Sequence, residues 1–331
     1  MNLSYSSTCA VTRNMPKTSS SLFASALGGG GGAPSSTSSS LLSSVLSGGA
    51  SLDADAQLLV RKLGKKDAVT KLKALRELHG AVSERGADWS AALLPHWVLA
   101  FGRLCDDGSW QVREQSCVVL DTFAQLLRRQ LAPQLKLLIA PWLRCRFDPQ
   151  HDVRRAAIGA FTSAFPAEGK YASALAFCQE DLLVTLAETA FASPPARSAD
   201  EDANAEAAEM YARRVSTALQ AACHLLATAA TEPAKGAAAT GTRFALGPLL
   251  SEHVLTPALW QLGTAKLSVV RCALYAMALA LLQHAPELAD AHQEVRVLVR
   301  SVVCEPRLIC SLAEGSVSPA VALAGNRHPP P

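Results

Sequence analysis

From Asp53 to about Val303, apolar positions recur at three- and four-residue steps, the spacing of one face of an α-helix. The pattern is clearest after Asp67, a residue type suited to capping a helix N-terminus. Val69, Leu72, Leu75, Leu78 and Val82 form one apolar stripe there, and Lys66, Thr70, Lys73 and Glu77 lie on the opposite face. Lys71 sits at the stripe's edge, so its stem is expected to pack while its charge reaches water. Lys73 and Glu77 are spaced for a weak pair.

The helices repeat as a unit. Arg113, Arg154 and Arg271 each follow a valine near an expected helix start, at separations of 41 and 117 residues. Since 117 is three times 39, the period is near the roughly 40–47 residues of HEAT and armadillo repeats. Pro95, Pro141 and Pro257 precede Trp97, Trp142 and Trp260 in apolar segments, and each is read as opening a helix, where a missing N–H loses nothing. Each unit is thus a helix begun near proline, a short turn, and a second helix carrying Val-Arg. The three arginines are expected to hydrogen-bond neighbouring turns. Such hairpins bury their apolar faces by stacking. The expected fold is all-α, a HEAT/armadillo-like solenoid over residues 53–303.

Two interruptions break the pattern. Residues 193–209, with a Pro pair and an acidic cluster, read as a loop, and the Ala/Gly-rich stretch 231–241 reads as another. Residues 1–52 hold 16 Ser, 7 Gly and only two charges, Arg13 and Lys17. Such a segment cannot bury enough apolar surface to offset its ordering entropy, so a disordered tail is expected. An organelle transit peptide is disfavoured because two basic residues support it thinly. Over 304–331 the helical period is lost and no polar capping repeat is legible, so the end reads as irregular and truncated.

Composition fits helices: Ala, Leu and Ser dominate, with 5% aromatic and 18% charged residues. The longest apolar run, Cys272 to Leu282, is eleven residues, short of the ~20 that span a bilayer. Nine scattered cysteines without a Cys-x-x-Cys pair read as thiols of a reducing compartment rather than a disulfide framework or zinc site. The eight histidines have no ligand spacing, and Gly28 to Gly32 lacks the flanks of a phosphate loop. No catalytic residue, metal site, cofactor or small-molecule substrate is therefore assigned.

What remains is charge. Residues 53–170 carry 18 Lys/Arg against 13 Asp/Glu, and 171–331 carry 11 against 15. Seven cations fall within 61–76, and Arg61, Lys62, Lys65, Lys66 and Lys73 are the candidate contacts to a polyanion or an acidic partner. Arg128, Arg129, Arg144 and Arg146 are candidates to extend that surface. The alternative is a solvated helix face, the usual fate of a charge run.

The stretch from Lys62 to Leu75, KLGKKDAVTKLKAL, resembles the opening helix pair of the listerin family of RING-type ubiquitin ligases. The resemblance continues in order through Leu94-Pro95-His96-Trp97, Val112-Arg113-Glu114, Gln130 to Lys136, Pro141-Trp142-Leu143, Ala160 to Pro166, Ala176-Phe177-Cys178 and Val270 to Tyr275, covering about residues 53–303. It implies a cytosolic protein of ribosome-associated quality control. The partners it implies for the N-terminal arm are the large ribosomal subunit and a tRNA-binding factor. In the family a C-terminal RING holds zinc and recruits a ubiquitin-conjugating enzyme. This sequence has no such ligand set, so no ligase residue carries over, zinc is not expected here, and the chain alone is expected to be inactive. The competing class is a generic HEAT scaffold or transport adaptor. An enzyme in its own right ranks last.

Overall fold

Asp67 caps a helix as its position predicts, accepting hydrogen bonds from the backbone N–H groups of Val69 (3.3 Å) and Thr70 (2.7 Å). The computed structural model describes residues 52–304, except 168, 197 and 232–243. The expected tail, the 231–241 loop beyond Thr231 and the irregular end from 305 lie outside the described residues. Within them the chain is helical, with no strand, and no helix is long and apolar enough to cross a membrane.

A short helix, α1 (Ala54–Leu63), packs on α2 (Ala68–Leu104). Inside α2, Gly86 takes φ 83° and ψ −174°, a conformation that a side chain would oppose, so two limbs meet at a kink there. Next come α3 (Trp110–Leu127), a 3-10 segment Arg128–Gln134, α4 (Leu135–Cys145) and α5 (His151–Ala164). Then follow α6 (Lys170–Phe177), α7 (Gln179–Ala190) and the long α8 (Glu201–Thr231). After the undescribed 232–243 come α9 (Leu246–Leu249), a π-helical turn Leu250–Val254, α10 (Pro257–Gln261), a 3-10 turn Leu262–Thr264, α11 (Ser268–His284), α12 (Pro286–Ala291) and α13 (Gln293–Cys304).

These helices stack as hairpins in two layers. In one, α2 packs on α4 and α4 on α7; in the other, α3 packs on α5 and α8 on α11. One continuous core runs between the layers and includes Trp97, Phe101, Phe123, Trp142 and Phe161. Trp97 stacks on Phe123 with ring centroids 5.7 Å apart, and Trp142 on Phe161 at 4.0 Å. The aromatic pairs thus lock adjacent helices face to face. Cys105, Cys117, Cys145 and Cys178 are buried and unbridged, as small apolar residues are.

The period of the stack corrects the spacing argument. Among the described residues one long second-layer helix, α8, stands between α5 and α11, so the 117 residues between Arg154 and Arg271 cover two described steps where the spacing suggested three. The excess chain goes into α6, which fills the space between α5 and α8, and into α8 itself, 31 residues long. Tyr171 of α6 meets Phe161 edge-on at 5.2 Å, and its hydroxyl lies 2.9 Å from Nε2 of His224.

Three further expectations change. The acidic stretch is loop only to Asp200; from Glu201 it is helix. Asp200 accepts from the N–H groups of Asp202 and Ala203, and negative charge is favourable at a helix N-terminus. Pro95 and Pro141 lie inside α2 and α4, because the Gly86 kink and the 3-10 segment set those starts; of the three prolines only Pro257 opens its helix. Val69 is 75% exposed, because the buried side of α2 begins at Lys71.

His224 supplies a pH dependence. Burial, aided by the Arg146 charge, lowers its pKa from 6.5 to about 4. The folded state therefore prefers neutral imidazole, and stability falls as pH drops from 6.5 towards 4, by up to about 3 kcal/mol. Buried His96, also lowered by desolvation, adds a loss of the same sign. Thermal midpoints of the wild type should fall between pH 7 and pH 4.5, and His224→Gln should fall less; parallel profiles would contradict this assignment.

Candidate docking surface

The basic stretch divides into structural and free cations. Arg61 and Lys62 end α1, Lys65 and Lys66 form the turn to α2, and Lys73 lies one turn further on. Arg61, Lys65, Lys66 and Lys73 are exposed and have no carboxylate partner among the described residues. Lys62 is half-buried and pairs with Glu77 at 2.9 Å. Glu77 thus joins α1 to α2 rather than pairing with Lys73, as its spacing had suggested. Arg76 is exposed one turn after Lys73, at the i+3 position that shares its face, and completes the patch.

At the opposite end of α1 the charges are tied. Asp53 and Asp55 hold Arg85 at 2.5 and 2.6 Å, and the Arg85 guanidinium lies over the Trp89 ring at 5.2 Å. Asp53 also caps α1 by accepting from the Ala56 N–H. That bond, the Trp89 N–H and the Arg85 charge keep its carboxyl below the usual range. The two carboxylates at the acidic end of α1 share one guanidinium, and at the basic end Arg61 is left open to solvent.

Lys71 is not the solvated edge residue its position suggested. It is buried, and its ammonium pairs with Asp107, which sits in the turn between α2 and α3. Arg144 is likewise no surface residue, since it is buried in α4 and paired with Asp106. Burial alone would raise the Asp106 pKa, but the charge and hydrogen bonds of Arg144, with Arg214 and Arg213 nearby, bring it down. Arg146 is half-buried, its guanidinium 5.9 Å from the Tyr171 ring centre. Arg128 and Arg129 are exposed, but on the connection after α3.

The repeat arginines act alike on the turns that lead into their own helices, and Arg113 alone of the three also reaches the next repeat. The Nη1 of Arg113 donates to the carbonyls of Asp107 (2.8 Å) and Gly108 (3.0 Å), that of Arg154 to Asp148 (2.7 Å) and Pro149 (2.8 Å), and that of Arg271 to Ala265 (2.6 Å) and Lys266 (3.0 Å). Each closes its own turn from six and five residues downstream. Arg113 also bridges to the next repeat through a bidentate pair with Asp148 at 2.8 and 3.0 Å. A sequence signal for this existed, because Asp107 and Asp148 each stand six residues before their arginine.

The long helix α8 lies across the first of these turns. Arg213 donates to the carbonyls of Asp106 and Asp107 at 2.9 Å, and Arg214 lies 3.4 Å from Asp106. A Cβ at Gly108 would sit 2.9 Å from Oε1 of Glu206, the mobile end of a side chain on α8. No local pattern announces these contacts, which join residues about a hundred positions apart. Among the described residues, no group of three His, Cys, Asp or Glu is placed to hold a metal ion.

Residues 52–307 match the family model described as "E3 ubiquitin-protein ligase listerin, N-terminal domain". The chain belongs to the listerin family. It is 29% identical to the chicken E3 ubiquitin-protein ligase listerin over 275 residues, 82% of this chain and 15% of that protein. Mouse listerin is 29% identical over 71% of this chain and 13% of its own length, and Drosophila melanogaster listerin 33% identical over 40% and 8%. This listerin-family chain thus spans about a seventh of the length of the first two relatives. Among solved structures, a designed armadillo repeat protein aligns at 17% identity with a TM-score of 0.32, covering 68% of this chain and 98% of its own.

The division of cations can be checked. Lys71→Met strands the Asp107 carboxylate inside the fold and should cost about 2–4 kcal/mol, whereas Lys73→Met, on the surface, should stay within about 0.5 kcal/mol. Denaturant midpoints measure both; equal effects would contradict the division.

Proposed function

We propose that residues 52–304 act as the N-terminal docking arm of a listerin-type ubiquitin ligase, holding it on large ribosomal subunits that carry stalled nascent chains. The carrying observation is the patch of exposed cations, Arg61, Lys65, Lys66 and Lys73, around the α1–α2 turn, without carboxylate partners among the described residues. Family membership supports the same reading. Lys62, being paired with Glu77, contributes mainly to holding α1 in place. The opposing surface is ribosomal RNA or an acidic face of the tRNA-binding factor of the quality-control complex, and the compartment is the cytosol.

Ubiquitin transfer lies outside this segment in the proposal. It belongs to a RING, with its zinc and its ubiquitin-conjugating enzyme, and this sequence holds no Cys-x-x-Cys pair to build one. Docking is electrostatic: each phosphate contacted releases counterions, so affinity falls as salt rises.

The test is co-sedimentation with stalled large subunits. Lys65→Glu/Lys66→Glu/Lys73→Glu reverses exposed charge without emptying the core, so the protein should stay folded, with a stability change of no more than about 1 kcal/mol. Binding should fall at least about tenfold, and wild-type binding should weaken with salt. A folded triple variant that pellets as well as wild type at low salt would overturn the proposal in favour of a scaffold whose cations are only solvated.

A further inference from the structure

A groove of about 710 Å³ opens between the connection that follows α3 and the one that follows α5. Its origin is local. Helix α3 stops at Arg128, which takes φ 47° and is, among the described residues, the only non-glycine residue in the left-handed region. The chain then runs as the 3-10 segment to Gln134, while α5 ends at Ala164 and is followed by Phe165 and Pro166. The walls are mostly apolar, formed by Ala124, Leu131, Leu135, Phe165 and Pro166 with the polar Gln125 and Ser163 among them, and the cationic rim is Arg128 and Arg129. Both arginines are exposed, neither has a carboxylate partner among the described residues, and no Asp or Glu lines the groove.

We propose that this groove binds an extended segment of a partner protein that carries a carboxylate beside a bulky apolar side chain. Guanidinium groups suit carboxylates because their planar N–H forks match the two oxygens. The volume lies within the roughly 300–1,000 Å³ of sites that bury a small ligand, enough for a few side chains. Chemistry favours peptide over nucleic acid: a phosphate backbone calls for a track of cations, and here two cations border a mostly apolar trough. A left-handed arginine is disfavoured where glycine would be at ease, so the fold holds the Arg128 side chain at the rim against backbone preference. The site lies apart from the α1–α2 patch and does not rest on the docking proposal above.

The experiment uses the full 331-residue chain. Displayed random peptides of about twelve residues are selected on it, and the enriched sequences are synthesised and measured by fluorescence anisotropy. Three variants are compared with wild type: Arg128→Glu/Arg129→Glu, Arg128→Gly/Arg129→Ala, which removes both charges and puts the residue that prefers the conformation at 128, and Ala132→Trp, which fills the groove from an exposed position. Enriched peptides should pair Asp or Glu with a large apolar residue. Their affinity should fall at least about tenfold on each folded variant, and equally when the acidic residue becomes its amide. The Gly/Ala variant keeps the test open should the charge reversal fail to fold. No enrichment, enriched peptides without acidic residues, or unchanged binding to the folded variants would overturn the proposal. So would a short poly(U) RNA that bound more tightly than the peptides and lost affinity in the same variants.

Discussion

The Arg113 guanidinium, 2% exposed, ties the stack together by holding Asp148, 4% exposed, in the next repeat. Taking a guanidinium and a carboxylate out of water is costly, and attraction offsets that cost only where geometry and further hydrogen bonds are good. Here Nε and Nη2 grip both carboxylate oxygens, and Nη1 reaches two carbonyls of Arg113's own turn. Asp148 Oδ1 accepts in addition from the Gln150 N–H. With so many partners fixed in direction, the pair favours this register of one repeat on the next. The aromatic stacks of Trp97 and Trp142 supply burial along that register, and burial alone is non-directional.

The same turn organises what surrounds it. Asp107 draws in Lys71 from α2, Asp106 draws in Arg144 from α4, and the carbonyls of both receive Arg213 from α8. One side of the solenoid is therefore knitted by buried charge, and cations not recruited there stay on the surface. That sorting explains why neighbours in sequence differ in role: Lys71 is part of the fold, while Lys73, two residues on, is free to meet a partner.

Much of the fold was legible because helical hairpins are built from local signals. The Asp67 cap and the core positions Leu75, Leu78 and Val82 are where the spacing puts them, and each Val-Arg pair stands near a helix start, although the interval from Arg154 to Arg271 is not three repeats. Listerin-family membership was legible too, from collinear short motifs. What escaped depends on contacts distant in sequence. Periodicity marks Lys71 as an edge residue because nothing local reveals Asp107, 36 positions away. Arg144 reads as surface because its partner is 38 positions back. The length of α8 escaped because acidic residues that suggest a loop also suit a helix N-terminus. Pro95 and Pro141 misled because the Gly86 kink and a 3-10 segment, not proline, begin those helices.

The most direct measurement is a double-mutant cycle on the two residues that join the first turns. Denaturation midpoints of wild type, Arg113→Met, Asp148→Ala and the double variant give the coupling free energy. If the inter-repeat pair sets the register, each single change is costly, because it leaves a buried charge alone. The double variant should then be less destabilised than the sum of the two, with a coupling of at least about 2 kcal/mol. Costs that add to within about 0.5 kcal/mol would mean that the two residues act independently and that apolar packing alone aligns the repeats.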